Sequence, residues 1–306
     1  MNTQEWALIT FTILTQMAVG AFLVLLVVHF YAAKKAGMEE ADRLSDRALL
    51  AIVVVMGLAL VASLFHLGNP LNAPRAITNL ATSWLSREIL FGVLFTALAV
   101  VFAVMQWRKI GPFSVRNVIA WITAIIGLVL VYCESRIYMI QAEPAWNTMA
   151  TPISFFTTTL LLGSLAMGVA FVANYAYVQK KNPKCADTQC ELLRGALQGI
   201  AISSIILVGI ELVVVPVYIA YLATGSAAAL STVKLLSGSF SAAFAIRLIL
   251  AFVGAGIFGA FLFQNALSTG REKVLGYLAY SAFLLVLVAE GLGRFLFFAT
   301  RVRIGI

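Results

Sequence analysis

Two residues suited to proton chemistry flank one short connection in this chain. His66 closes one apolar stretch and Glu88 opens the next, so both are placed at similar depth below the same surface. A carboxylate accepts a proton from a group held within about 2.6–3.2 Å, and an imidazole changes charge near neutral pH. Together they supply a proton acceptor and a hydrogen-bonding group at a helix junction. Glu134, Arg136, Glu211, Arg247, Glu290 and Arg294 also lie in or beside apolar segments. Ionisable groups at membrane depth are costly and usually mark a pathway or a site. They have a structural use too. With Arg87 included, four Glu balance four Arg, and buried pairs would lock helices together. Glu290 and Arg294, at i and i+4, are spaced for such a pair, and Glu211 and Glu134 are read the same way.

The elements that must position these groups are membrane helices. Of 306 residues, 62% are hydrophobic and 11% charged, with a mean hydropathy of +0.98. That composition excludes a soluble globular domain and predicts an all-α polytopic membrane protein. Apolar runs of about 20 residues predict eight spans, over 6–33, 48–67, 86–107, 117–139, 152–178, 195–223, 241–267 and 274–299. The whole chain, 1–306, reads as one integral membrane domain. Its connections are too short for a soluble domain, so chemistry on water-soluble substrates belongs to partner chains. The first residues, Met1 to Trp6, carry Glu5 but no Lys or Arg, which argues against a cleavable signal peptide.

The net charge of +8 is a topology signal rather than a sign of nucleic-acid binding. Thirteen of the 21 basic residues fall in one set of loops: Lys34, Lys35, Arg43, Arg47, Arg108, Lys109, Arg116, Lys180, Lys181, Lys184, Arg194, Arg271 and Lys273. Four, Arg75, Lys234, Arg301 and Arg303, fall in the other set, and Arg87, Arg136, Arg247 and Arg294 make up the remaining four. The positive-inside rule then predicts both termini outside.

On that topology the intramembrane charge is one-sided. His66 lies in the last turn of helix 2, before the stop signal of Gly68 and Pro70. Ser86 reads as the N-cap of helix 3, so Arg87 and Glu88 begin its descent. Glu134, Arg136 and Tyr138 end helix 4, Glu211 lies past the middle of helix 6, Arg247 near the start of helix 7, and Glu290 and Arg294 in the upper third of helix 8. All are near the outer face, which predicts a site open to one side. A secondary transporter would carry such charges at the midplane, in broken helices.

The chain has two histidines, His29 and His66, which the rise per residue places at opposite faces. A haem held by both is not expected. An iron–sulfur cluster typically takes four thiolates, and there are three cysteines. Cys133 reads as a small apolar filler, while Cys185 and Cys190 share an inner loop. No metal site is expected in this chain.

In order along the chain stand Gln16 and Gly20; Phe65-His66-Leu67-Gly68-Asn69-Pro70; Leu85-Ser86-Arg87-Glu88-Ile89; Arg136-Ile137-Tyr138; Pro144-Ala145-Trp146; Thr151-Pro152; Phe155-Phe156; Glu211; Arg247; and Glu290, Gly293 and Arg294. The set resembles the membrane-anchor subunit of the dimethyl sulfoxide reductase family, and covers nearly the whole chain. The resemblance implies an inner-membrane subunit of a prokaryotic three-part enzyme. Its anchor has eight helices, lacks haem and oxidises a quinol, typically menaquinol. Electrons pass to a ferredoxin-like [4Fe–4S] subunit and on to a molybdopterin catalytic subunit, both on the outer face. The family's quinol-site His and Glu match His66 and Glu88. On that reading Glu88 is the base, His66 holds one quinone oxygen, and Arg87, Arg136, Tyr138 or Arg247 orients the other oxygen or supports Glu88. The longer inner loop with Cys185 and Cys190 and the end Arg301-Val302-Arg303 depart from the family pattern. A secondary transporter, or a structural anchor without a quinone site, is the alternative.

Overall fold

The computed structural model describes residues 3–65, 77–181 and 186–305. His66 and Cys185 lie outside the described residues. The eight expected spans are present as long apolar helices: Glu5–Ala36 within α1 (Thr3–Ala36), α2 (Met38–Leu64), α3 (Trp84–Arg108), α4 (Phe113–Tyr138), Ala150–Lys180 within α5 (Ala150–Lys181), Thr188–Ala223 within α6 (Ala186–Ala223), α8 (Ser241–Ala266) and α9 (Glu272–Ala299). A short helix, α7 (Ala227–Ser237), packs into the connection between α6 and α8 through Ala229, Thr232 and Leu236.

Several boundaries differ from the apolar runs for one reason. Hydropathy registers the lipid-embedded stretch, and a helix continues past it where polar side chains find partners. The predicted 48–67 begins ten residues earlier, at Met38. Its polar first turns are bound to the end of α3, which α4 in turn holds. Gln106 Nε2 donates to Asp42 at 2.5 Å and to Asp46 at 3.1 Å, Lys109 Nζ reaches the same two carboxylates at 2.7 and 3.0 Å, and Arg116 donates to Gln106 at 2.7 Å. His29 belongs to this end as well, with Nδ1 2.8 Å from Ser45 Oγ. The start of α3 is also earlier than expected. Ser83, not Ser86, is the N-cap, and its hydroxyl accepts the Ser86 N–H at 3.2 Å. A serine three residues ahead of the first free N–H groups caps them one turn sooner.

The helices at the centre are α1 and α5, whose apolar windows are 78% and 72% buried, against 28–50% for the other spans. They cross at Gly20 and Gly163. A Cβ on Gly163 would run into the backbone of Gly20 and Ala21, and one on Gly20 into the Thr159 carbonyl. Small residues at such crossings let two backbones approach where no hydrophobic effect separates protein from lipid. Around this pair, α2 packs mainly on α1, α6 and α9 mainly on α5, and α4 on both, while α3 packs on α4 and α2, and α8 on α6 and α9. Outward faces are apolar and exposed, as with Val54, Leu58 and Val61 on α2. That i, i+4, i+7 spacing marks a helix face turned to lipid.

The span α8 is interrupted by a π-helical turn, Phe252–Ile257. Arg247 precedes it, and Gly259, Leu262 and Ala266 are buried beyond it. Pro216 sits inside α6 and leaves the Leu212 carbonyl without its helical donor.

Candidate functional site

The intramembrane charges gather at the end of the bundle that carries the connection between α4 and α5. Two neighbouring groups form there, joined by one side chain.

The first group lies among α1, α3, α4 and α9. Glu88, in the first turns of α3, is 6% exposed. Among the described residues its carboxyl group makes no hydrogen bond, and it interacts electrostatically with Glu134 on α4. Glu134 is fully buried. Its Oε2 accepts from Gln16 Nε2 at 2.9 Å, and its Oε1 has no partner. The other end of the Gln16 amide accepts from Arg294 Nη2 at 2.8 Å. Because guanidinium only donates and carboxylate only accepts, the amide orientation follows from its two neighbours. Arg294 also lies over the Phe155 ring at 3.8 Å. Tyr138 is buried nearby and interacts electrostatically with Glu88, Glu134 and Arg294. Its ring sits in an aromatic cluster with Trp146, Phe155, Phe297 and Phe298, at centroid distances of 5.2–5.6 Å.

Arg87 and Arg136 stand at the rim of this group. Arg87 donates to the Leu80 and Ala81 carbonyls at 2.8 and 2.7 Å and covers one side of Trp84, 4.2 Å from the ring centroid. Arg136 lies 5.2 Å from the same centroid. The two cations thus hold an indole at the mouth of the site, an arrangement worth about 0.5–1 kcal/mol per contact where exposed.

The second group lies among α5, α6, α8 and α9. Arg247 and Glu211 form an ion pair. Glu290 accepts from Thr158 Oγ1 at 2.6 Å. Glu290 and Arg294 therefore do not pair with each other despite their spacing; Thr158 holds one and Gln16 the other. Arg247, considered with Glu88 from the sequence, belongs to this second group instead. These residues line a cavity with about 930 Å³ of unfilled space, part of it open to the protein's outside.

The connection above both groups is tied down. Trp146 Nε1 donates to the Phe297 carbonyl at 2.8 Å, Tyr218 donates to the Ala145 carbonyl at 2.9 Å, and Ile304 N–H donates to Ala142 at 2.9 Å. Arg303 reaches Glu143 at 3.5 Å, and Arg301 lies over Trp146. Trp146→Phe keeps an aromatic ring, though a smaller one, and removes the indole donor. It is expected to lower the stability of the purified protein by about 1 kcal/mol, read as an earlier thermal unfolding transition in detergent.

Among the described residues no three His, Cys, Asp or Glu side chains come together as metal ligands. Cys133 is buried, and Cys190 Sγ lies 3.0 Å from Glu272 Oε1.

The family model of the DMSO reductase anchor subunit matches residues 1–300. The chain belongs to that family. It is similar, at 29% identity over 100% of its length and 98% of the relative's, to a chain of the anaerobic dimethyl sulfoxide reductase of Haemophilus influenzae. It is 30% identical to the corresponding chain of the Escherichia coli reductase, over 56% of this protein and 61% of that one. It is 28% identical to a sulfite dehydrogenase subunit of Allochromatium vinosum, over 56% of this protein and 55% of that one. Membership agrees with the resemblance read from the ordered residues, and the chain is a multi-pass membrane protein of the anchor-subunit type.

The sequence singled out Glu88, Glu134, Tyr138, Glu211, Glu290 and Arg294 as charged or polar groups at depth, and the structure brings them to one end. The bridging role of Gln16 and the hold of Thr158 on Glu290 were not legible. Neutral polar residues within apolar runs are common, and their contacts cross 118 and 132 positions of sequence.

Proposed function

We propose that this chain is the quinol-oxidising anchor of a dimethyl sulfoxide reductase-type complex in the cytoplasmic membrane. The observation that supports it best is Glu88. A carboxyl group at the membrane end of a helix, buried beside a second carboxyl and without a hydrogen-bonding partner among the described residues, is placed to accept a proton from a ligand. Oxidation of menaquinol to menaquinone releases two protons and two electrons. Glu88 takes a hydroxyl proton, and His66 holds an oxygen of the ring and passes a proton to the outer face. Tyr138 and Arg294, through Gln16 and Glu134, keep the Glu88 surroundings in place. Arg87 and Arg136 fix Trp84 at the entrance. The electrons leave to a ferredoxin-like [4Fe–4S] subunit docked on the connection containing Trp146, and from there to a molybdopterin subunit. No haem or cluster of this chain's own is needed.

The test is oxidation of a quinol analogue by the intact membrane complex carrying His66→Ala. Turnover is expected to fall about tenfold, the worth of one hydrogen bond of roughly 1–1.5 kcal/mol. Viologen-driven activity of the catalytic subunit is expected to stay unchanged. Equal losses in both assays would count against the site.

Protons and electrons leaving on one face move no charge across the bilayer. A potential-sensitive dye in sealed vesicles is therefore expected to show no turnover-dependent signal. A signal that collapses with an uncoupler would sink this part of the reading. The reverse direction, from an outer dehydrogenase into the quinone pool, is favoured only by the relative described as a sulfite dehydrogenase subunit.

A further inference from the structure

The cavity among α5, α6, α8 and α9 is not used by the chemistry at Glu88. It has the features of a ligand site. Its walls include Glu211, Arg247, Glu290 and Arg294. Glu211, Glu290 and Arg294 are 8%, 3% and 5% exposed. Each of the four keeps a buried atom with no hydrogen-bond partner: Oε2 of Glu211, Nε of Arg247, Oε1 of Glu290 and Nε of Arg294. Buried polar atoms left unpaired are costly and rare in folded proteins. Glu211 and Glu290 can share a proton with each other, which leaves the two guanidinium Nε groups and one side of the carboxyl pair facing the cavity for a ligand to meet.

The wall chemistry selects the ligand class. Two carboxyl groups, Glu211 and Glu290, lie beside each other and face two guanidinium groups, so the wall offers both acceptors and donors. Orphaned donors and acceptors stand side by side, which suits a neutral ring carrying hydroxyl or carbonyl oxygens. The enclosed part of the cavity is small, about 100 Å³, and the rest of the space opens to the outside. A second, apolar groove continues from it. The two share Ala150, Ile153, Val214 and Tyr218, and the groove runs on past Val213, Val217 and Tyr221. Those last three side chains are 65%, 64% and 60% exposed on α6, the face turned to lipid. Gly293 keeps the cavity floor open. A Cβ there would collide with the Arg247 guanidinium.

We infer that this cavity is a second binding site for a quinone-class lipid, with the head ring among Glu211, Arg247, Glu290 and Arg294 and the isoprenoid tail along the Val213–Val217–Tyr221 groove. It takes its ligand class from the proposed function but does not depend on Glu88. Arg294 stands in the wall between the two sites, lining the cavity and bonding to Gln16.

The experiment is photo-crosslinking of the intact complex with an azido-menaquinone analogue, mapped by peptide mass spectrometry. Cross-links are expected on the peptides around Ser154, Tyr218 and Gly293, competed by unmodified menaquinone. Ser154→Phe places a ring in the unfilled space and is expected to lower those cross-links about tenfold, a loss of about 1.4 kcal/mol of binding. Val214→Phe, on the opposite wall, is expected to do the same, so one poorly assembled variant leaves the test intact. Absence of competed labelling on these peptides overturns the inference. So does labelling that both variants leave unchanged, or labelling by a photoactive phospholipid in place of the quinone. The outcome is separate from that at Glu88. Labelling here with normal turnover in Glu88→Gln would keep this site and remove the other.

Discussion

Glu88→Gln is expected to lower quinol turnover about 10²–10⁴-fold, the usual worth of a positioned general base. The substitution keeps the size and planarity of the side chain and removes its capacity to hold a proton. Glu88 is 6% exposed and among the described residues has no partner whose hydrogen bond would be lost, so the bundle has little reason to rearrange. Assembly with the soluble subunits and viologen-driven activity should therefore match wild type. The assay is quinol-analogue oxidation beside viologen oxidation on the same membranes. Full quinol turnover in Glu88→Gln would remove Glu88 as the base. If His66→Ala were also silent, the structural-anchor alternative would stand. A protein that purifies without cluster-bearing subunits would point to a transporter.

Gly163→Leu is expected to abolish accumulation of the folded protein. The Gly163 Cα faces the backbone of Gly20 and Ala21 at the crossing of α1 and α5. A side chain placed there meets main-chain atoms, which cannot change rotamer to make room. Overpacking that flexible side chains absorb costs about 1–3 kcal/mol. Here α1 and α5 would have to separate along their length. Since these two helices contact most of the others, both halves of the bundle would lose their shared wall. Gly163→Ala should show a weaker form of the same defect. Membrane content measured by immunoblot, with fluorescence-detected size exclusion in detergent, checks the order wild type, then Ala, then Leu. Normal levels of Gly163→Leu would show that the crossing is not as close as described.

What the sequence made legible was the part written in hydropathy and charge. Eight spans follow from lipid's demand for apolar side chains, and the grouping of ionisable residues at one end follows from where they interrupt those spans. Family membership was legible because the relevant residues stand in a fixed order. Helix ends were less legible where polar residues extended them. The first ten residues of α2 hold Asp42 and Asp46 against Lys109, a contact between positions 63 and 67 apart. The pairing of the buried charges was the least legible. Spacing joined Glu290 to Arg294, but on the folded bundle Thr158 and Gln16 compete for them from other helices. An i, i+4 pair is worth only about 0.2–0.5 kcal/mol on an isolated helix, so tertiary partners decide.

The π turn in α8 has a consequence for the direction in which Arg247 points. Arg247, Ala251, Ala255, Gly259, Leu262 and Ala266 form one inward stripe. Five turns of regular α-helix cover about 18 residues, and this stripe covers about 19, the surplus being absorbed at Phe252–Ile257. One residue of α-helix is about 100° of rotation. Shortening this turn by a single residue, with α9 still packed against the lower half, would swing the guanidinium from the cavity toward lipid. The membrane end of this helix is thus aimed by the length of its middle, and a change far from any charge can re-aim it.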